Sequence, residues 1–167
     1  MKILQLTVEV LVSSYQDAGP GNLICVVRLD GLALIDATPE IEKLLAERDI
    51  SMEVLIRDWE RQGELSKPHW ISRRPSVSMD ELCALAEKVW DKKTQPSLNL
   101  RMTSNTVYHG VSLIVAMSDG YGPPDNDFTW VLRLVPYGEI EGEDAEFVRE
   151  LIGTISRLAN LPTYLIS

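Results

Sequence analysis

The chain has 167 residues, of which 16 are Lys or Arg and 25 are Asp or Glu, so its formal net charge is −9. This charge disfavours nucleic acid and anionic membranes as direct partners, because both require a positive protein surface. The length and the 45% hydrophobic fraction predict one globular domain over residues 1–167. No apolar run approaches the ~20 residues of a membrane span, and we predict a cytoplasmic protein.

The first predicted elements are strands. Between Leu4 and Val12 every second residue is apolar, which is typical of a half-buried strand. Residues 23–29 (LICVVRL) form a continuous and partly β-branched run, which indicates a central strand buried on both faces. The Asp30–Gly31 pair predicts a turn, after which residues 32–35 would pair back.

Three helices are predicted next. Thr38 can cap a helix that begins at Pro39, since proline fits the first helical position. The apolar spacing of residues 52, 55, 56 and 59 predicts a further helical segment that ends near Gly63. The spacing leaves open whether this segment and the one from Pro39 form one bent helix or two. Residues 66–76 contain two prolines and have no period, so they predict a loop. The third helix follows Ser78, which forms a capping box with Glu81.

The C-terminal part of the chain predicts a meander and a final helix. Residues 98–102, 111–117 and 128–134 each alternate, and turn residues separate them, which indicates antiparallel pairing of three consecutive strands. An amphipathic pattern predicts a helix over residues 143–159. The order β-β-α-α-α-β-β-β-α therefore predicts an α+β fold, with a largely antiparallel sheet of about five strands and helices packed on it.

Residues that could carry catalysis are few. The sequence has no GxSxG, no SxxK and no phosphate-binding glycine loop. The two histidines, His69 and His109, are 40 residues apart and lack neighbours at metal-site spacing. Cys25 lies in the most apolar strand, and Cys83 has no basic neighbour that would activate it. We predict that the protein is not an enzyme and has no catalytic residue, metal or cofactor, and that its two cysteines stay reduced.

The acidic excess is concentrated between Asp119 and Glu150. It begins in the loop 119–127 (DGYGPPDND) and continues before the final helix. Separately, Trp70 lies in the aperiodic loop 66–76. We predict a partner-binding surface that combines carboxylates with two aromatic anchors: Tyr121, Asp125, Asp127, Glu139, Glu141, Glu143 and Trp70. Two plainer interpretations stay open, an ordinary hairpin loop and a solvated approach to a helix N-terminus.

Three segments carry a resemblance to a known class of proteins. They are the strand-like start LQLTVEVLV, the His69–Trp70 loop, and the closing hairpin GYGPPDNDFTWVLRLVP before an acidic final helix. In this layout the whole chain resembles the immunity proteins of bacterial polymorphic-toxin and type VI secretion systems, and it looks most like the immunity protein 52 family. The resemblance implies a stoichiometric antitoxin. It would bind a toxin with a restriction-endonuclease-type nuclease fold and block the active site or the substrate channel.

Three hypotheses about function follow, in order of preference. The first is an immunity protein that neutralises a toxic effector with a basic surface, which a net charge of −9 would complement. The second is an acidic inhibitor that mimics nucleic acid and blocks a host factor. The third is an enzyme with a metal-assisted site that depends on Asp125 and Asp127. In addition, a homodimer is predicted if the strand around Val131 and Val135 forms an exposed, apolar sheet edge.

Overall fold

The computed structural model describes residues 2–14, 23–45, 50–58, 69–92, 100–102, 109–120, 122, 126–136 and 140–162. The elements in chain order are β1 (Lys2–Ser14), β2 (Leu23–Ile35), α1 (Pro39–Leu45), β3 (Ile50–Arg57), β4 (Trp70–Arg73), α2 (Met79–Asp91), β5 (Arg101–Met102), β6 (His109–Asp119), β7 (Phe128–Pro136), β8 (Ile140–Glu141) and α3 (Ala145–Leu158).

Six of these strands form one antiparallel sheet in the order β4-β3-β2-β1-β6-β7. β1 lies near its centre, between β2 and β6, and its alternating pattern places one of its faces in the core. Leu4, Leu6, Val8, Val10 and Val12 are all buried, and the residues between them point to the other face. The short strands β5 and β8 pair separately, Arg101 with Glu141 and Met102 with Ile140.

Two helices cover the face of the sheet on which those β1 residues lie. α2 contributes Leu82, Leu85, Ala86 and Val89 to the core, and the apolar side of α3 joins the same cluster. The register places alternate residues of β2, β3 and β6 on this face as well, including Val27, Val54 and Leu113. None of the described helices has the length and apolar character that crossing a bilayer requires.

The predicted start of α2 is confirmed in detail. The Ser78 hydroxyl accepts a hydrogen bond from the Glu81 backbone N–H at 3.2 Å, and the Glu81 carboxylate accepts one from the Ser78 N–H at 3.0 Å. These two bonds satisfy backbone donors that the first helical turn leaves without partners. The predicted antiparallel hairpin of β6 and β7 and the predicted C-terminal helix are confirmed too.

The predicted helical segment after residue 50 is wrong. Residues 50–57 form β3, because Ile50, Met52, Val54 and Ile56 alternate on the helix-covered side of the sheet. The predicted loop 66–76 is wrong in its middle, since Trp70–Arg73 pair with β3 as the edge strand β4. Trp59 and Gly63, which belonged to the helix prediction, lie outside the described residues.

Three smaller predictions about the sheet are also corrected. β2 is central but is not buried on both faces, because Arg28 is exposed on the side away from the helices. β2 continues through Asp30–Gly31 without a turn, because both residues are paired with β1 and β3. The first strand of the predicted meander does not join β6, since β5 pairs with β8 instead. The observed order is therefore β-β-α-β-β-α-β-β-β-β-α, an α+β arrangement with more strands than the predicted five.

Candidate partner-binding surface

The face of the sheet that points away from α2 and α3, which we call the open face, presents polar and charged side chains together with apolar ones such as Val26, Leu55 and Ile114. Its members follow from the register, because they alternate with the buried residues of each strand. Those most open to solvent come from strands far apart in sequence: Gln5, Arg28, Ser51, Glu53, Ser72, Thr129 and Val131. The residues of the open face therefore come from several strands that are distant in sequence.

Negative charge prevails at the middle of the open face. Arg28 lies between Glu53 on β3 and Glu9 on β1 in one cross-strand row. Its guanidinium pairs with Asp30 on its own strand, with Nε 3.1 Å from Oδ2. The Thr7 hydroxyl donates to the other oxygen of Asp30 at 2.5 Å. One exposed arginine therefore lies among three carboxylates, and a basic partner would complement this arrangement.

A groove of about 410 Å³ lies on the same side of the sheet, beside β1, β6 and β7. Its polar lining comes from Gln5, Thr7, Ser118, Thr129 and Asp127. These are hydroxyl, amide and carboxylate groups, which can all accept hydrogen bonds. A cationic side chain or a chain of backbone N–H groups is the kind of group that such a lining can bind.

Asp127 is held at the end of this groove by the turn that follows β6. Its Oδ1 accepts a hydrogen bond from the Asp119 backbone N–H at 3.0 Å. The Asp119 carboxylate in turn accepts one from the Gly122 N–H, also at 3.0 Å. Each carboxylate thus accepts a backbone hydrogen bond after β6, and the exposed Asp127 side chain lines the groove together with Thr129.

The predicted site residues fall into three groups. Asp127 lies at the groove, and Glu141 and Glu143 are exposed just before α3. α3 packs over β7 through Phe147, whose ring meets that of Trp130 edge-on with 5.9 Å between centroids. Glu143 thus precedes a helix that packs on the helix-covered side of β7, whereas Asp127 lies at the groove on the open face. Tyr121, Asp125 and Glu139 lie outside the described residues.

Trp70 lies at the other edge of the sheet, and it is in β4 rather than in a loop. The register pairs it with Arg57, which places it on the open face and leaves it partly exposed. Five strand spacings of about 4.8 Å, roughly 24 Å in all, separate β4 from β7. Trp70 and Asp127 do not form one compact cluster, although they share one face.

The acidic run before α3 is partly internal to the structure. Asp144 is completely buried, and its Oδ1 lies 3.1 Å from Nζ of Lys92 at the end of α2. Glu150 likewise pairs with Lys88 at 3.3 Å on the exposed side of the two helices. Sequence reasoning missed both pairs, because the lysines come from a helix more than fifty residues earlier.

The described residues contain no group of three or more His, Cys, Asp or Glu side chains that could hold a metal ion. Asp125, on which the metal-assisted hypothesis depends, lies outside them. Cys25 is fully buried, and burial raises the pKa of its thiol to about 11, an effect that the charge of Arg73 reduces only in part. The Cys83 Sγ–H donates to the Leu34 carbonyl oxygen at 3.1 Å.

Cys25 is expected to be inert towards thiol reagents in the folded protein. Raising its pKa from the ordinary 9.0 to about 11 lowers the thiolate fraction at pH 8 by about 100-fold. In a C83A variant, Cys25 is the thiol that can react with a chromogenic disulfide. Its reaction rate in the folded protein should be at least about 100-fold lower than its rate in urea. Equal rates would show that Cys25 is accessible.

The same shift predicts a loss of stability in alkaline solution. The pKa of Cys25 is raised in the folded state, so the folded protein favours the protonated thiol. The contribution of this thiol to the free energy of unfolding is therefore complete below pH 9 and is lost as the pH rises to about 11. Comparison of urea denaturation of the wild type and a C25A variant over this range isolates the effect. A difference between the two that does not change with pH would contradict it.

No protein-family model, no curated protein and no solved structure matches this chain. The resemblance to immunity proteins therefore stays a prediction, and it rests on the sequence features that carry it.

Proposed function

We propose that the protein is a cytoplasmic immunity protein, which binds one cognate toxic effector and neutralises it without catalysis. The effector is a nuclease, and the bound inhibitor occludes its active site or its substrate channel. The observation that supports this proposal most is the acidic open face, where Glu9, Asp30 and Glu53 surround Arg28.

The chemistry of a nuclease supports the choice of partner. A nuclease needs a positive groove to hold its phosphate backbone substrate. A chain of net charge −9 attracts such a groove over long range, and complementary charges raise the association rate more than the affinity. Fast association suits an inhibitor that must reach the toxin before the substrate does.

The dimensions of the open face suit a protein partner. The distance of roughly 24 Å from β4 to β7 matches a standard interface, which buries about 800 Å² on each partner. One partner lying across the sheet would contact Asp127 at one edge and Trp70 at the other. This explains how predicted site residues that are far apart could act on a single toxin.

The first test is capture of the partner by the tagged chain from its native cell lysate at moderate salt, followed by mass spectrometry. We expect one near-stoichiometric protein with a basic surface, and in reconstitution its nuclease activity should fall to zero at a 1:1 ratio. A captured DNA-binding host protein would favour the nucleic-acid mimic instead. With no partner at all, a divalent-metal titration would examine the enzyme hypothesis.

Charge reversal on the open face is expected to weaken toxin binding. E53K and D127K should each lower the affinity by about 10-fold, mainly through slower association, and should reduce the dependence of binding on salt. The matched control is E87K, which makes the same change at an exposed position of α2 in the helix layer. If E53K and D127K bind as E87K does, the interface does not lie on the open face.

A further inference from the structure

One edge of the sheet is long and partly apolar, and the other is short. β7 has nine residues, and no described strand pairs with its outer side, whereas β4 at the opposite edge has four. Val131 on β7 and Ile71 on β4 are each 48% exposed. Long edge strands with exposed apolar residues readily pair with another strand, and a short edge strand limits such pairing.

The regular part of β7 is centred on Trp130. Residues 128–132 pair with β6 in simple register, and the pairing becomes irregular only between Leu132 and Val135. Phe128 and Leu132, on the helix-covered side, are only partly buried because the sheet ends there. Trp130 between them is 4% exposed and lies 4.7 Å from the Phe128 ring.

The sequence of this segment is complementary to itself in the antiparallel sense. Around Trp130 the residues read Asp-Phe-Thr-Trp-Val-Leu-Arg, from 127 to 133. A two-fold axis at position 130 sets Asp127 opposite position 133, an arginine, and Phe128 opposite Leu132. It also sets Thr129 opposite Val131 on the open face. Opposite charges, apolar pairs and β-branched pairs are each favourable neighbours across strands.

This is the register that pairs opposite charges within the segment. Asp127 and Arg133 are the only charged residues between 126 and 136, and the axis at 130 brings them together twice. Moving the axis one residue towards the C-terminus sets Asp127 opposite Val135 and leaves both charges without an ionic partner. From this complementarity we infer that β7 pairs with β7 of a second copy, forming a symmetric dimer with a continuous twelve-stranded sheet.

The dimer is expected to be weak and reversible. A strand edge of this length is a small interface, and interfaces below about 1,200 Å² are typical of transient association, so a dissociation constant of about 10–100 µM is expected. Two chains of net charge −9 also repel each other, although physiological salt screens this repulsion beyond about 8 Å. The inference does not depend on the proposed function, because pairing of β7 is measured on the chain alone, without a toxin, although Asp127 belongs to both proposed surfaces.

Sedimentation velocity of the full chain, from about 1 to about 200 µM in 0.15 M salt, tests the pairing. We expect a concentration-dependent shift from monomer to dimer. V131K should weaken the dimer at least 10-fold, since a lysine on an edge strand prevents pairing. The matched control is I71K, which changes an equally exposed residue on the other edge and should leave the dimer unchanged. A monomer throughout the range, or a dimer that resists V131K or is lost with I71K, would overturn the inference.

A charge exchange tests the register. D127R and R133D should each weaken the dimer, because each sets like charges opposite one another, and the double variant D127R/R133D should restore it to within about 3-fold. D127R also removes the acceptor for the Asp119 N–H, but the double variant lacks it too, so recovery reports the pairing alone. No recovery would reject the axis at Trp130. Circular dichroism confirms that every variant is folded.

Discussion

The K92M variant is expected to lose about 3 kcal/mol of folding free energy, because the substitution removes the ammonium that faces a buried carboxylate. The Asp144 side chain is fully buried and its Oδ1 is 3.1 Å from Nζ of Lys92, whose own side chain is about one-third exposed. Methionine has a length and an apolar stem similar to those of lysine, so the change removes chiefly the charge, including the ammonium that lies 5.4 Å from the centroid of the Phe147 ring. Urea denaturation followed by circular dichroism measures the difference.

The neighbouring exposed ion pair provides the control for this experiment. Lys88 and Glu150 are 3.3 Å apart, but both side chains are 52% exposed, so K88M should cost less than about 1 kcal/mol. A double variant, K92M/D144N, should recover much of the loss because it no longer buries a charge that lacks its ammonium. Equal costs for K92M and K88M would show that burial of Asp144 does not govern the strength of the pair.

The parts of the fold that were predicted from sequence depend on local signals. The capping box of Ser78 and Glu81 lies within four residues, and the alternation of β1 extends over nine. Both patterns have a clear physical cause in neighbouring residues, and the structure confirms both. The β6–β7 hairpin belongs to the same group, because its strands are close in sequence and each shows a period of two.

The segment 50–57 shows where a local pattern is ambiguous. Met52, Leu55 and Ile56 match helical spacing, but Ile50, Met52, Val54 and Ile56 also match a strand. The choice depends on pairing with β2, about twenty-five residues away, which no local pattern displays. β5 shows the same dependence, since its partner is β8 nearly forty residues later rather than the adjacent β6.

The candidate surface was only partly accessible to sequence reasoning. Asp127 was predicted because acidic residues are dense around it, and the structure places it in the lining of a groove. Glu9, Arg28 and Glu53 were missed, because they come from three strands and become neighbours only through the sheet register. Conversely, Asp144 belongs to the acidic run in the sequence, but its burial against Lys92 removes it from any exposed patch.

The V54K variant is expected to lose more than about 4 kcal/mol of folding free energy, because it places an ammonium group in the core. Val54 is 0% exposed and lies between Val27 of β2 and Arg73 of β4 in the register, so the new charge would also face an arginine. In the alternative helix, position 54 would point away from the face of Met52 and Ile56, where a lysine costs little. The matched control S51K changes an exposed residue of the same strand opposite Asp30, and it should alter stability by less than about 1 kcal/mol. Urea denaturation of both variants distinguishes a strand from a helix at residues 50–57. A large loss of stability in V54K alone is expected for the strand β3, whereas similar, small losses in both variants would favour the helix.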